Sequence, residues 1–208
     1  PQSTDYLLIN TTANDPVIAT NTTVFGIAAG GANRDITINP GVNLTISSDQ
    51  SFQSSITFKG SSTTCSTCGI VLNGNDSFVT NNSTLRLESG ITLSSSTSTL
   101  DIGDGVTAGH IEIAGGVLEA EKVKILNTGP WGFRGVVLNG SAGAKSTLNV
   151  NHLVIEHYHG YSSTDVQGFH FKDNYEILGF DNIKFSKIFR ISQSELITFE
   201  NCSNGIFT

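Results

Sequence analysis

Methionine is absent from all 208 residues, position 1 included. The chain is therefore expected to be a processed or excised piece, with any secretory signal already removed. Charge is scarce as well: 14% of residues are charged, and the balance is 11 bases against 18 acids, or −7. Residues 1–118 hold only three of the bases, Arg34, Lys59 and Arg86. Without a basic stripe to neutralise phosphates, nucleic acid is not an expected partner. No stretch approaches the roughly 20 apolar residues needed to cross a bilayer, so no membrane span is expected. A hydrophobic share of 38% is nonetheless too high for a disordered tail. Helix signals are nearly missing: Val117–Lys124 holds helix formers but is bounded by Gly115-Gly116 and Asn127, and its alternation continues through Val123 and Ile125. It reads as strand.

What is present is short alternation. Ile36-Thr37-Ile38, Leu44-Thr45-Ile46, Ile56-Thr57-Phe58, Leu85-Arg86-Leu87, Leu100-Asp101-Ile102 and Val123-Lys124-Ile125 each put two apolar side chains on one face and a polar one opposite. Turn residues separate them, as in Asn39-Pro40-Gly41 and Lys59-Gly60-Ser61. Strands this short need neighbours stacked above and below. Gly69-Ile70-Val71-Leu72-Asn73-Gly74 returns as Gly135-Val136-Val137-Leu138-Asn139-Gly140, 66 residues on. Read as three coils of about 22 residues, this offset is the mark of a solenoid. It places Ile70 and Leu72 on the same sheet as Val136 and Leu138. Residues 1–35 lack that phase and read as an N-terminal cap or assembly segment. After residue 130 aromatics replace hydroxyls. Phe169-His170-Phe171, Ile183-Lys184-Phe185 and Ile197-Thr198-Phe199 recur at 14-residue steps, which suits strands on alternating faces.

Cys65-Ser66-Thr67-Cys68 is open to three readings: a small-loop disulfide, a redox pair or half of a zinc site. The missing second ligand pair and the missing βαβ context favour a structural disulfide, which in turn suits an oxidising, extracellular location. Cys202 is left over. Asn-x-Ser/Thr triplets begin at Asn10, Asn21, Asn43, Asn75, Asn81, Asn82, Asn139 and Asn201. Composition alone gives about four or five, so they are candidate glycan attachment sites and the chain a candidate glycoprotein.

These strands, turns and aromatic-x-x-Asn bends resemble the right-handed parallel β-helix of pectin-lyase-like extracellular surface proteins. Gly129-Pro130-Trp131-Gly132-Phe133 is similar to the tryptophan-glycine segments preceding coils in bacterial surface β-helices. Phe171-Lys172-Asp173-Asn174 resembles the Phe-x-x-Asn repeat of polymorphic autotransporter adhesins, whereas Gly30-Gly31-Ala32-Asn33 lacks the aliphatic residue of their second motif. The resemblance implies an all-β, right-handed parallel β-helix (β-solenoid) over a single domain, residues 1–208.

Enzymes resembling this fold cleave polysaccharides with clustered carboxylates. Asp101-Ile102-Gly103-Asp104-Gly105 falls short of a full calcium repeat, and Asp165, Asp173 and Asp181 match no hydrolase or lyase pattern. They read as solvated acids, so no catalytic, cofactor or metal residue is assigned and no cofactor is expected. His157 and His159 would share a face, as surface residues sooner than as a metal pair. Trp131, Tyr158 and Tyr161, with Phe133 and Tyr175, form a candidate aromatic platform for sugar rings, though filling the interior of a widening coil is the stronger reading. Thr97-Ser98-Thr99 is one weak copy of an ice-binding pattern.

The expected function is that of an extracellular or cell-surface structural and adhesive solenoid: a filament or stalk subunit, more adhesin than enzyme. Its partners would be copies of itself end to end, through Tyr6–Ile9 and Ile206-Phe207, or a surface polysaccharide or host surface. The alternative is a polysaccharide lyase or hydrolase, or a polysaccharide-binding module, on the same fold.

Overall fold

The alternating triplets do form strands, and three of them complete each coil. In the computed structural model the backbone is described for residues 5–9, 15–31, 33–62, 65, 68–104, 106–127, 135–141 and 143–160, and beyond that within strands; side chains in strands are described as far as residue 152. The chain runs β1 (Tyr6–Ile9), β2 (Val17–Ile18), β3 (Thr22–Val24), then β4 (Gly26–Ala29), β5 (Arg34–Ile38), β6 (Asn43–Ile46). Next come β7 (Gln50–Phe52), β8 (Ile56–Gly60), β9 (Cys68–Leu72), followed by β10 (Asp76–Val79), β11 (Ser83–Glu88) and β12 (Ile91–Ile102). The rest is β13 (Gly109–Ala114), β14 (Val117–Asn127), β15 (Val136–Asn139), β16 (Ser146–Gly160), β17 (Gln167–Lys172) and β18 (Tyr175–Phe180), with β19 (Lys184–Phe185), β20 (Ile188–Arg190), β21 (Glu195–Glu200) and β22 (Ile206–Phe207). No helix occurs among the described residues. Val117–Lys124, read as strand, lies within β14.

Every strand pairing is parallel, and the strands stack into a β-solenoid with three faces. One face is the ladder β3-β6-β9-β12-β14-β16-β18-β22. β7 and β10 stack on the second half of β12 to make another, and the long strands β12, β14 and β16 turn the corner between these two. The third is the eight-stranded sheet β2-β5-β8-β11-β13-β15-β17-β21. Residues 1–35 contribute β1–β4 to this same arrangement, with β1 and β4 paired apart as a two-stranded sheet. The 14-residue step after residue 165 is an alternation of faces. Phe169 and Phe171 pair Ile197 and Phe199 on the third face, while Phe185 pairs Ile155 elsewhere.

The core consists of aliphatic columns along the axis. On the third face Ile36, Phe58, Leu87, Ile113 and Leu138 stand one above the other. On the first, Leu44, Ile70, Leu93, Leu118 and Leu148 do the same. All ten are at most 1% exposed, and full burial of each such side chain contributes about 1.5–3 kcal/mol.

One expectation about the register is overturned. Gly69–Gly74 and Gly135–Gly140 do not lie three coils apart on one sheet: Ile70 and Leu72 are in β9 on the first face, Val136 and Leu138 in β15 on the third. The coil step is not constant. On the first face Thr22 pairs Leu44, Asn43 pairs Gly69, Cys68 pairs Ile91, Thr92 pairs Val117 and Val117 pairs Thr147, giving steps of 22, 26, 23, 25 and 30 residues. The shared hexapeptide encodes an apolar strand followed by a turn, and that local message serves two different corners.

Corners of unequal length leave backbone groups without a ladder partner, and side-chain oxygens take them up. Asn21 Oδ1 accepts the Asn43 N–H at 2.9 Å, and Asp49 Oδ1 accepts the Asn75 N–H at 2.7 Å. Ser55 Oγ accepts from Thr84 N–H, and Thr107 Oγ1 from Asn81 N–H. The abundance of Ser, Thr, Asn and Asp thus has a structural use.

Candidate functional site

The outermost described coil is the first surface that stands out. β1, β2 and β3 are the end strands of their ladders among the described residues. Tyr6, Leu8 and Val17 on these strands are 54%, 67% and 59% exposed. Tyr6 also packs edge-on against Phe25, with ring centroids 5.4 Å apart. Above this coil, β4 and β7 follow one another along the axis without being paired. Buried Gln50 bridges them like an extra peptide group. Its Oε1 accepts the Ile27 N–H at 2.6 Å, and its Nε2 donates to the Ile27 and Ser51 carbonyls at 3.0 and 2.9 Å. A slot of about 560 Å³ opens beside it, lined by Tyr6, Leu8, Ile27, Ala29, Phe52 and Gln53 among others.

A charged ladder covers the third face. In-register pairing sets Arg86 beside Glu112, with Nη1–Oε1 2.5 Å, and Arg86 Nε lies 3.5 Å from Glu88. Asn139 Nδ2, one coil further, donates to the same Glu112 oxygen at 3.1 Å. Lys59 meets Asp35 at 2.6 Å, and that hydrogen bond raises the Lys59 pKa. Burial alone would raise the Glu112 carboxyl. The hydrogen bonds from Arg86 and Asn139, together with the Arg86 and His110 charges, outweigh it and hold Glu112 below its usual range. A carboxyl held this way keeps its charge and does not donate protons, the reverse of a general acid.

A depressed carboxyl contributes stability above its unfolded pKa and loses it as pH falls through the folded value. Glu112→Gln should therefore cost about 1 kcal/mol near neutrality, discounted for the partly exposed partner. The gap from wild type should narrow as pH falls through and below the ordinary glutamate range, about 4.3. Urea titrations across that range check this; a gap that widens on acidification would contradict it.

A third feature sits on the corner between the first two faces. Ser94, Glu119 and Asn149 are in register, and with Ser96, Glu121 and Asn151 they line a pocket of about 300 Å³. Glu121 is held by Asn151 Nδ2 at 2.7 Å and faces His152 Nδ1 at 3.3 Å. Asp104, weighed as part of a calcium loop, is instead turned into its own turn. Burial would raise its carboxyl, but the Thr107 and Val106 N–H groups, at 2.5 and 2.8 Å, and the Thr107 hydroxyl lower it. Asp101 is buried at 6% exposure, so it is not the solvated acid expected. Among the described residues no three His, Cys, Asp or Glu side chains are grouped for a metal.

Cys65 and Cys68 form the expected disulfide, both buried. Closing so short a loop restrains the unfolded chain by about 2 kcal/mol. Of the candidate glycan sites, Asn21, Asn43, Asn75, Asn81 and Asn82 are exposed and Asn139 half-buried. Asn10, Asn201, Trp131, Phe133, Tyr161, Asp165, Asp173, Asp181 and Cys202 lie outside the described residues, as do the side chains of His157, Tyr158, His159 and Tyr175. Sequence reasoning passed over Gln50 and the Arg86–Glu112–Asn139 ladder. Gln50 left a signal, since alternation with inward Phe52 turns it inward too. The ladder left none, because its members meet only through the register.

No family model, curated protein or solved structure matches the chain, so its function has to be argued from this geometry.

Proposed function

We propose that the chain is an extracellular structural and adhesive solenoid, acting through a stiff three-faced body and through contact at its first coil. The observation that carries this reading is the three-faced stack of parallel strands with Tyr6, Leu8 and Val17 exposed on its first described coil. An end coil of this kind accepts the strands of another copy end to end, and a heterologous contact that does not close produces a filament. The inter-coil pairing of Glu112, Arg86 and Asn139 agrees with a body built for stiffness.

Negative-stain microscopy of the purified chain should show rods. Leu8→Lys, at an exposed position, should give single short particles of unchanged fold. Single particles in both samples would defeat the assembly claim. The polysaccharide-directed alternative is favoured by one observation, the corner pocket of Glu119, Glu121, Asn149 and Asn151. Turnover of an added polysaccharide, lost in Glu119→Gln, would move the assignment to it.

A further inference from the structure

We infer that in a chain exported past a lipid-linked oligosaccharide donor, Asn75 and Asn82 carry N-linked glycans, while Asn81 and Asn139 stay bare. The inference rests on the extracellular part of the reading above. Chemically, the asparagine Nδ2 attacks the anomeric carbon of the donated sugar. The bond from that carbon to the lipid pyrophosphate breaks, the pyrophosphate leaves with the electron pair, and Nδ2 loses one proton. The product is a secondary amide with a bulky, hydrated substituent.

The six triplets differ in where the side chain goes. Asn21 reaches along the axis, its Oδ1 accepting the Asn43 N–H of the next coil. Asn43 continues that direction and lies over Gly69, where a Cβ would overlap its carboxamide. Asn81 Nδ2, the atom to be modified, donates to the Gln53 carbonyl of the preceding coil at 3.1 Å. Asn139 Nδ2 donates to Glu112 at 3.1 Å, in a half-buried position between coils. The contacts of Asn21 and Asn43 run through Oδ1 and do not bear on their Nδ2. A sugar on the Nδ2 of Asn81 or Asn139 would displace a contact to a neighbouring coil and hinder stacking of the chain carrying it. Attachment precedes folding, so such chains would be depleted from the folded, secreted population.

Asn75 and Asn82 are different. Both are exposed, and each is fixed through its backbone N–H: Asn75 to Asp49 Oδ1 at 2.7 Å, Asn82 to the Ala108 carbonyl at 2.8 Å. Asn82 has a φ of 57°, a left-handed turn conformation that asparagine tolerates. Their carboxamides make no hydrogen bond to a described residue, so substitution costs the fold nothing. The two bracket β10 on the second face. Glycans there would cover that face and leave the charged ladder open.

The test is to secrete residues 1–208 from a cultured eukaryotic cell, remove glycans with an amidase in heavy-oxygen water, and map the peptides. Each former acceptor then reads as a heavy aspartate. Heavy label at positions 75 and 82, and none at 81 or 139, is expected, with the two glycans lost stepwise in Asn75→Gln and Asn82→Gln. Either position unlabelled in the secreted protein, or label at position 81 or 139, overturns the inference. Rod formation by the deglycosylated sample reports separately on the assembly reading.

Discussion

Phe58→Ala should destabilise the protein by about 3–5 kcal/mol, the usual cost of emptying a large buried aromatic site. Phe58 is fully buried, between Ile36 of the coil below and Leu87 of the coil above. A solenoid gives such a cavity few ways to collapse. Coil spacing is fixed by the backbone ladders, so neighbours cannot close in without breaking hydrogen bonds on all three faces. The loss should also be local. Amide exchange should quicken first in β5, β8 and β11, because each coil is stabilised mainly by its nearest neighbours. Thr57→Ala, one residue away but facing outward, should stay within about 0.5 kcal/mol. Urea unfolding of the two variants side by side checks the contrast, and equal losses would contradict the inward and outward assignment.

Gly90→Ala should cost about 3 kcal/mol in total, from two separable causes. Gly90 has a φ of 84°, and forcing alanine there costs about 1–2 kcal/mol. Its added Cβ would also overlap the Cys65 carbonyl oxygen and lie 3.0 Å from the Cys65 Cβ, an overpacking penalty of about 1–3 kcal/mol. Gly41 separates the two. It has a φ of 76° with nothing within 4 Å of an added Cβ, so Gly41→Ala should show the backbone strain alone. Reducing the Cys65–Cys68 disulfide lets the Cys65 loop retreat. The Gly90→Ala penalty should then shrink toward that of Gly41→Ala in thermal melts. A penalty unchanged by reduction would mean that the Cys65 carbonyl is not the obstacle.

The candidate surfaces were unevenly legible. Tyr6-Leu7-Leu8-Ile9 is conspicuous as an apolar run, and its end strand keeps Tyr6 and Leu8 exposed. Cys65 and Cys68 are close enough in sequence for their pairing to be local. The corner pocket and the charged ladder were not legible. Glu119 and Asn149 stand 30 residues apart, and Arg86 and Glu112 stand 26 apart, yet each pair is in register on neighbouring coils. Only the loop lengths between them decide that.

By itself the sequence determined strand, turn, inside and outside. Alternation has a period of two and is written in three to six residues, and turn chemistry acts over a similar span. That is why the triplets from Ile36-Thr37-Ile38 to Val123-Lys124-Ile125 fall in strands with their apolar residues inward. The tertiary structure decided which face each strand joins, how long each coil is, and which outward side chains meet. All three faces bury the same aliphatic residues, so Ile70-Val71-Leu72 and Val136-Val137-Leu138 carry no label for their face. Corners absorb extra residues as long as their backbone groups find side-chain partners, as Asn43 and Asn75 do through Asn21 and Asp49. The face is therefore set by accumulated loop length, and that sum is settled only when the coils close against one another.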